Sequence, residues 1–217
     1  MTPNKEDYLK LIFELGGDKN KINNKQIVSG LQVSAASVSE MISKLEKGGF
    51  VKHSPYQGVQ LTKAGLQQAS SLVRKHRLWE VFLVEHLGYS WNTVHEEAEV
   101  LEHVTSEELT SRLETYLNTP EFCPHGGVIP RKNQPIFERT LQTLADYPEN
   151  TKVRIERVLD EKELLDYLVS IELNIHDIVT IEHISVYEGP ITLKKSDQKS
   201  LHVSFKAANN IFVTPIV

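Results

Sequence analysis

The first 61 residues carry a series of local signals that constrains the fold more than any other part of the chain. Apolar residues at helical spacing predict three helices, over about residues 2–15, 23–31 and 34–47. Gly-Gly pairs end the first and third of these helices, and Gln32-Val33 predicts a tight turn between the second and the third. Two helices joined by so short a turn are typical of a helix-turn-helix.

Two short strands are predicted directly after the third helix. Phe50–Lys52 and Val59–Leu61 have strand-like composition, and Ser54–Gly58 joins them through a Pro and a Gly. Helix, helix, turn, helix and hairpin are, in this order, the elements of a winged helix-turn-helix. In that motif the third helix enters the major groove of DNA, and the hairpin, called the wing, lies along the backbone.

The exposed side of the third helix fits a DNA-reading role. Its small and polar side chains allow a close approach to base edges. Glu40 can accept a hydrogen bond from a cytosine amino group, and Ser37 can bond either type of base edge. An ordinary solvated helix face would have the same composition, and positive charge near the wing is limited to Lys52, His53 and Lys63. The candidate DNA-binding residues are Ser34, Ala36, Ser37, Ser39, Glu40, Ser43, Lys44 and Lys52.

The distribution of charge agrees with DNA binding by the N-terminal third only. The whole chain has a net charge of −5, but residues 1–77 hold 12 basic and 6 acidic side chains, a net charge of +6. The remaining segments are acidic, with a net charge of −7 over residues 78–145 and −4 over residues 146–217. Positive charge confined to the first third can attract phosphate while the rest of the chain does not.

Sequence composition also predicts a cytoplasmic protein. No apolar run approaches the roughly 18–20 residues needed to cross a bilayer, and the acidic pair Glu6-Asp7 stands where a signal peptide would need apolar residues. A single cysteine, Cys123, excludes a disulfide framework and fits a reducing compartment.

Helices and then strands are predicted for the remaining two thirds of the chain. A helical region over about residues 63–117 is interrupted at Gly88-Tyr89-Ser90, and Thr105 with Glu108 predicts a capping box for its last helix. From about residue 152, several short strands and one helix predict a small barrel-like β domain. The expected domains are a winged helix-turn-helix at 1–73, a helical domain at 74–130, a linker at 131–147 and a β domain at 148–217.

Histidines and carboxylates share one face of a predicted helix near residue 100. At 100° per residue, four such side chains fall within about a 100° arc. The preceding helix carries another pair four residues apart. Clustered carboxylates repel each other unless protons or a divalent cation lie between them, and mixed oxygen and nitrogen donors suit Mn, Fe, Co, Ni or Zn. A solvated acidic face with incidental histidines is the alternative. The residues are His95, Glu99, Glu102 and His103 on one helix, and His76 and Glu80 on the other.

With these motifs the chain resembles the diphtheria toxin repressor (DtxR/MntR) family of metal-dependent transcriptional regulators, and within it the manganese-responsive branch. The resemblance covers the whole chain, including the C-terminal β domain. The segments that carry it are V-S-A-A-S-V-S-E-M-I, R-K-H-R-L-W-E-V-F-L, H-E-E-A-E-V-L-E-H and C-P-H-G-G-V-I-P. It implies a mainly α protein with a small β domain. The winged helix-turn-helix would be followed by a helical dimerisation and metal-binding domain and a C-terminal SH3-like, FeoA-type β-barrel.

The resemblance also implies two metal sites. Asp7 and Glu99 stand where the iron-sensing branch carries a methionine and a cysteine, and replacing sulfur with carboxylate oxygen favours Mn²⁺. Cys123, as a ligand, would favour softer metals, so Fe²⁺ and Zn²⁺ stay open. The implied primary site is Asp7, Glu99, Glu102, His103 and Cys123, and the implied ancillary site is His76, Glu80, His95, Asp160 and Glu163.

Together these features predict a homodimeric repressor with the metal as corepressor, and the resemblance to the family implies that it regulates metal-uptake genes. Metal would fix the winged helix so that two recognition helices, about 34 Å apart, read a palindromic operator, which one dimer or two dimers would occupy. A metal-independent winged-helix regulator with an effector-binding C-terminal domain is the main alternative. A carboxylate-bridged di-metal enzyme would need Glu-x-x-His motifs, which the chain lacks, so we do not expect an enzyme.

Overall fold

The computed structural model describes residues 1–135 and 141–216, which form two compact units. The N-terminal unit comprises residues 1–79, 99–119 and 129–137, and the C-terminal unit comprises residues 80–98, 120–128 and 138–217. Residues 136–140 of the predicted linker lie outside the described residues. The linker was predicted to extend to residue 147, but a first short strand already begins at Gln142.

The N-terminal unit begins with the predicted winged helix-turn-helix. The two strands pair antiparallel, with Val51 opposite Leu61 and Ser54 opposite Gly58. The order of elements expected from the sequence is therefore confirmed. The elements are α1 (Pro3–Glu14), α2 (Asn24–Leu31), α3 (Ala35–Lys47), β1 (Val51–Ser54) and β2 (Gly58–Leu61).

Local hydrogen bonds explain where α2 and α3 begin. The Asn23 side chain accepts from the Gln26 backbone N–H, and the Gln26 side chain accepts from the Asn23 backbone N–H, which completes a capping box. Gln32, with φ of 53°, ends α2 in the left-handed conformation, and Ser34 caps α3 by accepting from the Ser37 backbone N–H. These contacts fix the tight turn between the two helices.

Apolar side chains from all five elements form one core. Its fully buried members include Leu9 on α1, Ile27 on α2, and Ile42 and Leu45 on α3. The segment between α1 and α2 joins the wing through two backbone hydrogen bonds of 2.8 Å between Ile22 and Val59. The wing and the first three helices therefore pack as one body. The core consists of Tyr8, Leu9, Ile12, Phe13, Ile22, Ile27, Val38, Ile42, Leu45, Val51, Val59, Leu61, Ala69 and Val73.

Three helices follow the wing: α4 (Lys63–Leu87), α5 (Val94–Val104) and α6 (Glu107–Tyr116). The expected Thr105–Glu108 capping box is wrong by one residue, because the Ser106 side chain accepts from the Leu109 backbone N–H. The Thr105 hydroxyl instead donates to the Leu101 carbonyl at 2.6 Å.

Among the described residues, no helix combines the length and apolar character needed to span a membrane.

The C-terminal unit contains the predicted small β domain. Six antiparallel strands form one sheet in the order β3-β8-β4-β5-β6-β7. The helices α7 (Lys162–Ser170) and α8 (Phe205–Ala208) lie between strands in sequence and contribute Leu165 and Ala208 to its core. The strands are β3 (Gln142–Thr143), β4 (Lys152–Val158), β5 (Ile178–Ile184), β6 (Ile191–Lys195), β7 (Ser200–Val203) and β8 (Ile211–Pro215).

Replacing Asn23 with alanine removes the acceptor of the α2 capping box and is expected to lower the free energy of unfolding by about 1 kcal/mol. Urea denaturation of the chelated protein measures this change. Asn24→Ala, one residue later in α2, is the matched control. Equal stability of the two variants would contradict the role assigned to the capping box.

Candidate metal centre

Three of the predicted primary ligands converge in the N-terminal unit. Asp7 on α1 and Glu102 and His103 on α5 each offer one donor atom, and these atoms lie within 4.8 Å of one another. His103 Nε2 is 2.9 Å from Asp7 Oδ1 and 3.7 Å from Glu102 Oε1. Glu102 is fully buried. The first helix of the winged helix-turn-helix thus reaches a donor group that otherwise belongs to α5.

Glu99, the fourth predicted primary ligand, belongs to an overlapping donor group. It lies with Glu102 and His76, again with donor atoms within 4.8 Å of one another. His76 Nδ1 is 2.5 Å from Glu102 Oε2. Glu102 is therefore the member that the two groups share, and one ring nitrogen of His76 faces this carboxylate.

Glu6 was not among the candidates, although it contacts one of them. Its Oε2 lies 2.8 Å from His103 Nδ1. A metal-binding histidine commonly donates its other ring N–H to a carboxylate, which fixes the tautomer and the direction of the ring. Glu6 can do this for His103 while Nε2 faces Asp7. Glu6 and Asp7 are neighbours in sequence, so the sequence alone did not show that both would reach the same imidazole.

Lys10 is the second residue that the sequence reasoning missed. Its Nζ lies 2.9 Å and 3.2 Å from the two Glu102 oxygens, 3.4 Å from Glu99 Oε2 and 3.2 Å from His76 Nδ1. Burial would lower the pKa of this amine, but nearby carboxylates, with Glu102 first, raise it above its usual value. Lys10 therefore stays an ammonium. Its position three residues after Asp7, on one face of α1, was the signal in the sequence.

Asp7, Glu99, Glu102 and His103 are called the primary group below. The electrostatics of this group fit a divalent cation. Burial, together with the charges of Glu99 and Glu102, raises the pKa of Asp7. Within the described part of the chain, the buried Asp7 Oδ1 accepts no hydrogen bond of acceptable geometry. His103 Nε2 lies 2.9 Å away without the geometry of a hydrogen bond, and a cation held by carboxylate oxygens and an imidazole nitrogen would give this buried oxygen a better partner.

The C-terminal unit holds a second donor group, made of predicted ancillary ligands. Glu80, His95 and Asp160 offer donor atoms within 4.8 Å of one another. His95 Nδ1 lies 2.7 Å from Asp160 Oδ2, and Glu80 is fully buried. Glu163 is exposed at the start of α7, outside the donor groups found among the described residues.

Cys123 and His125 lie beside Glu80 in the same unit, and their donor atoms are within 4.8 Å of one another. His125 Nδ1 is 3.0 Å from Glu80 Oε1, and its Nε2 is 2.6 Å from the Trp91 carbonyl. Burial alone would lower the pKa of His125, but the Glu80 carboxylate and a Cys123 hydrogen bond raise it to about 12. The primary-site role of Cys123 stays a prediction, since its neighbours here belong to the ancillary set. His125 was not among the candidates, although it lies in the C-P-H-G segment that carries part of the family resemblance.

Gly126 explains the turn that carries Cys123 and His125. It has a φ of +81°, and an added Cβ would lie 2.0 Å from the Glu156 carbonyl oxygen. The turn closes through hydrogen bonds of 2.9 Å from Gly126 N–H to the Cys123 carbonyl and from Cys123 N–H to the Gly127 carbonyl. Only glycine fits this backbone without displacing β4.

The predicted DNA-binding residues are all exposed, on α3 and on the wing. Five of them make local contacts. The hydroxyls of Ser34 and Ser37 lie 2.9 Å apart, and Ser39 donates to the Ala35 carbonyl. Glu40 pairs with Lys44 at 2.7 Å, and that hydrogen bond lowers the pKa of the Glu40 carboxyl. The wing also carries more positive charge than the sequence suggested, because Lys21 contacts the Gln57 side chain at the hairpin. Tyr56 is fully exposed at the hairpin tip.

Three family profiles match successive parts of the chain. The profile described as "Iron dependent repressor, N-terminal DNA binding domain" matches residues 1–59. "Iron dependent repressor, metal binding and dimerisation domain" matches residues 62–131, and "FeoA domain" matches residues 142–215.

Solved structures and curated proteins resemble the chain as well. The structure of the manganese regulator SloR has 44% sequence identity, covers 100% of both chains and gives a TM-score of 0.86. ScaR with bound Zn²⁺ has 40% identity over 98% of this chain and 99% of that chain, with a TM-score of 0.87. The iron-dependent repressor IdeR of Mycobacterium tuberculosis is 36% identical over 125 residues, which are 58% of this chain and 54% of IdeR.

A winged helix-turn-helix whose first helix brings a carboxylate to a His/carboxylate group is the arrangement of a metal-dependent transcriptional repressor. The chain belongs to the DtxR/MntR family of these repressors. The family, the fold class and the general function expected from the sequence are thereby confirmed.

Metal binding by this chain is expected to release protons, because metal ligands must be deprotonated. Burial raises the pKa of Asp7, a proposed ligand. His125, with its pKa at about 12, is protonated at pH 7 and lies 3.0 Å from Glu80, so a cation bound by Glu80 would favour loss of the His125 proton. Metal affinity should therefore fall as the pH is lowered. Calorimetric titration with Mn²⁺ in two buffers of different ionisation enthalpy measures the protons released, and His125→Gln should release fewer. A binding enthalpy that does not depend on the buffer would contradict this prediction.

Proposed function

We propose that this chain is a manganese-responsive repressor in which the primary group couples metal occupancy to the position of the winged helix-turn-helix. One observation carries the proposal: Asp7 lies on α1, while Glu102 and His103 lie on α5. The proposed primary ligands are Asp7, Glu99, Glu102 and His103, with Cys123 as a further candidate. The proposed ancillary ligands are His76, Glu80, His95 and Asp160, with Glu163 as a further candidate.

The residues of the primary group explain why metal would change DNA affinity. Asp7, Glu99 and Glu102 bring three carboxylates together, and Lys10 supplies one positive charge to them. Asp7 and Glu99 are partly exposed and Glu102 is buried. Their like charges repel one another, which opposes the ion pairs that Lys10 makes between α1 and α5. A bound divalent cation supplies the missing positive charge. If it binds the DNA-competent arrangement better, it shifts the population by the ratio of its two affinities.

Manganese is the metal that the donor chemistry favours. The primary group offers carboxylate oxygens and one imidazole, and oxygen donors suit Mn²⁺ more than thiolate-preferring metals. SloR, at 44% identity, is a manganese regulator, whereas ScaR was solved with Zn²⁺. Titration with Mn²⁺, Fe²⁺ and Zn²⁺ against a chelated control would rank these three metals.

The proposed repressor acts as a homodimer in the cytoplasm on a palindromic operator near metal-uptake genes. Large apolar side chains are exposed on two helices of the N-terminal unit: Val100 and Val104 on α5, and Tyr116 on α6. An apolar surface of this kind supports self-association. Two recognition helices about one helical turn apart, roughly 34 Å, would fit a palindrome. A footprint of about twice one dimer's length would reveal two dimers per operator.

Asp7→Ala is expected to abolish metal-stimulated DNA binding, lowering the stimulated affinity at least about tenfold while the fold is retained. Loss of Asp7 removes the only proposed ligand on α1. Gel shifts on operator fragments with and without Mn²⁺ measure the effect, and circular dichroism checks the fold. Glu97→Ala, which removes an exposed carboxylate from α5, should behave like the wild type.

Two further outcomes would contradict parts of the proposal. A Mn²⁺-dependent shift that persists in Asp7→Ala would mean that Asp7 is not a ligand. Full operator affinity of the wild type after exhaustive chelation would favour a metal-independent regulator whose C-terminal domain binds an effector.

Ser37→Ala is expected to change sequence preference, because Ser37 is exposed on the helix that would face base edges. Lys52→Ala on the wing should instead weaken binding to all sequences about equally and reduce its salt dependence. Binding to a library of operator variants separates the two effects. A uniform loss across sequences in Ser37→Ala would contradict α3 as the reading helix.

A further inference from the structure

Lys10 is a buried cation inside the proposed metal centre. Its side chain is 8% exposed, and its Nζ lies within 3.4 Å of acceptor atoms on Glu102, Glu99 and His76. The other buried residues of α1 are hydrophobic: Tyr8, Leu9, Ile12 and Phe13. Lysine is almost never buried unless it is paired, so the carboxylates account for its presence.

The Lys10 ammonium and a metal in the primary group would use the same carboxylate. Glu102 Oε1 is 3.2 Å from Lys10 Nζ and 3.7 Å from His103 Nε2, and Glu102 Oε2 is 2.9 Å from Lys10 Nζ. A divalent cation held by Asp7, Glu102 and His103 would therefore share Glu102 with a positive charge already present. Two positive charges that share one buried carboxylate repel each other even with an effective dielectric constant of about 20.

The ammonium also has a role without metal. Lys10 lies on α1 and its carboxylate partners lie on α5, so the ion pairs link these helices with a single positive charge. That charge offsets one of the three carboxylates and leaves the site negative. The charge of the metal-free site is thus partly neutralised by Lys10. The site therefore attracts a divalent cation less strongly than it would without this ammonium.

We propose that Lys10 is an internal counter-ion that competes with the metal for Glu102 and so sets the metal concentration at which the repressor responds. This inference rests on the proposed function, because it assumes that the primary group binds the metal. It assigns Lys10 a positioning and threshold role rather than that of a ligand. Removing the charge makes the metal-free site more negative and removes the repulsion, so both effects tighten metal binding.

The test compares Mn²⁺ affinity in three variants of the full chain. Lys10→Gln removes the charge and keeps a hydrogen-bond donor, Lys10→Arg keeps the charge, and Lys199→Gln removes an exposed lysine charge from the C-terminal unit. Competition with a chelator of known affinity, at fixed pH and salt, gives the dissociation constants. Thermal denaturation of the chelated proteins reports the stability of the metal-free state.

Lys10→Gln is expected to bind Mn²⁺ at least about tenfold more tightly than the wild type and to melt at a lower temperature when chelated. Lys10→Arg and Lys199→Gln should stay within about threefold of the wild-type affinity. Folded Lys10→Gln with unchanged or weaker affinity would overturn the inference. Wild-type protein that takes up no Mn²⁺ would instead contradict the proposed function, so the two failures are distinguishable.

A measurement on the wild type keeps the inference testable if Lys10→Gln does not fold. A buried, ion-paired ammonium gives its own proton–nitrogen NMR signal, which is assigned by its absence from Lys10→Arg. Titration with diamagnetic Zn²⁺ should shift this signal in proportion to the metal bound. An ammonium signal that stays unchanged at saturation would overturn the inference, since it would show that Lys10 and the metal do not share Glu102.

Discussion

The contacts of the buried Glu102 carboxylate are the interactions on which the proposed metal centre of this repressor depends. It is fully buried, and it contacts a lysine from α1, a histidine from α4 and the neighbouring His103 of its own helix. Removing one partner of a buried ion pair is costly, so these groups must be arranged together or not at all. The position of α1 therefore depends on which positive charge, the Lys10 ammonium or a bound metal, neutralises Glu102 on α5.

Much of the fold could be predicted because it rests on local signals. Helical spacing, Gly pairs and the Ser34 cap indicated the winged helix-turn-helix, and the structure has these elements within a few residues of the expected bounds. The start of α6 was misplaced, because Thr105 and Ser106 are both good caps and only the bond from Thr105 to Leu101 decides between them. Trp79 on α4 donates to the same Thr105 hydroxyl at 2.7 Å, and the sequence does not display this tertiary contact.

The candidate site was only partly predictable for a related reason. Side chains on one helix, such as His95 and Glu99, share a face by spacing alone, and Asp7 entered through the family resemblance. Lys10 and His125 were missed because their contacts are with residues distant in sequence. Lys10 lies 92 residues before Glu102, and His125 lies 45 residues after Glu80. The spacing of Asp7 and Lys10, three residues apart on α1, was the visible sign of such a contact.

The backbone links between α1 and the wing extend the reach of the metal centre. Beyond the end of α1, Gly17 accepts a hydrogen bond from Leu61, and Ile22 exchanges two with Val59. These bonds join the segment that follows α1 to the hairpin. A displacement of α1 at Asp7 would therefore move the hairpin as well as α3. Under the proposed function, metal bound at Asp7 would therefore act on the hairpin and on α3 together, because both are joined to α1.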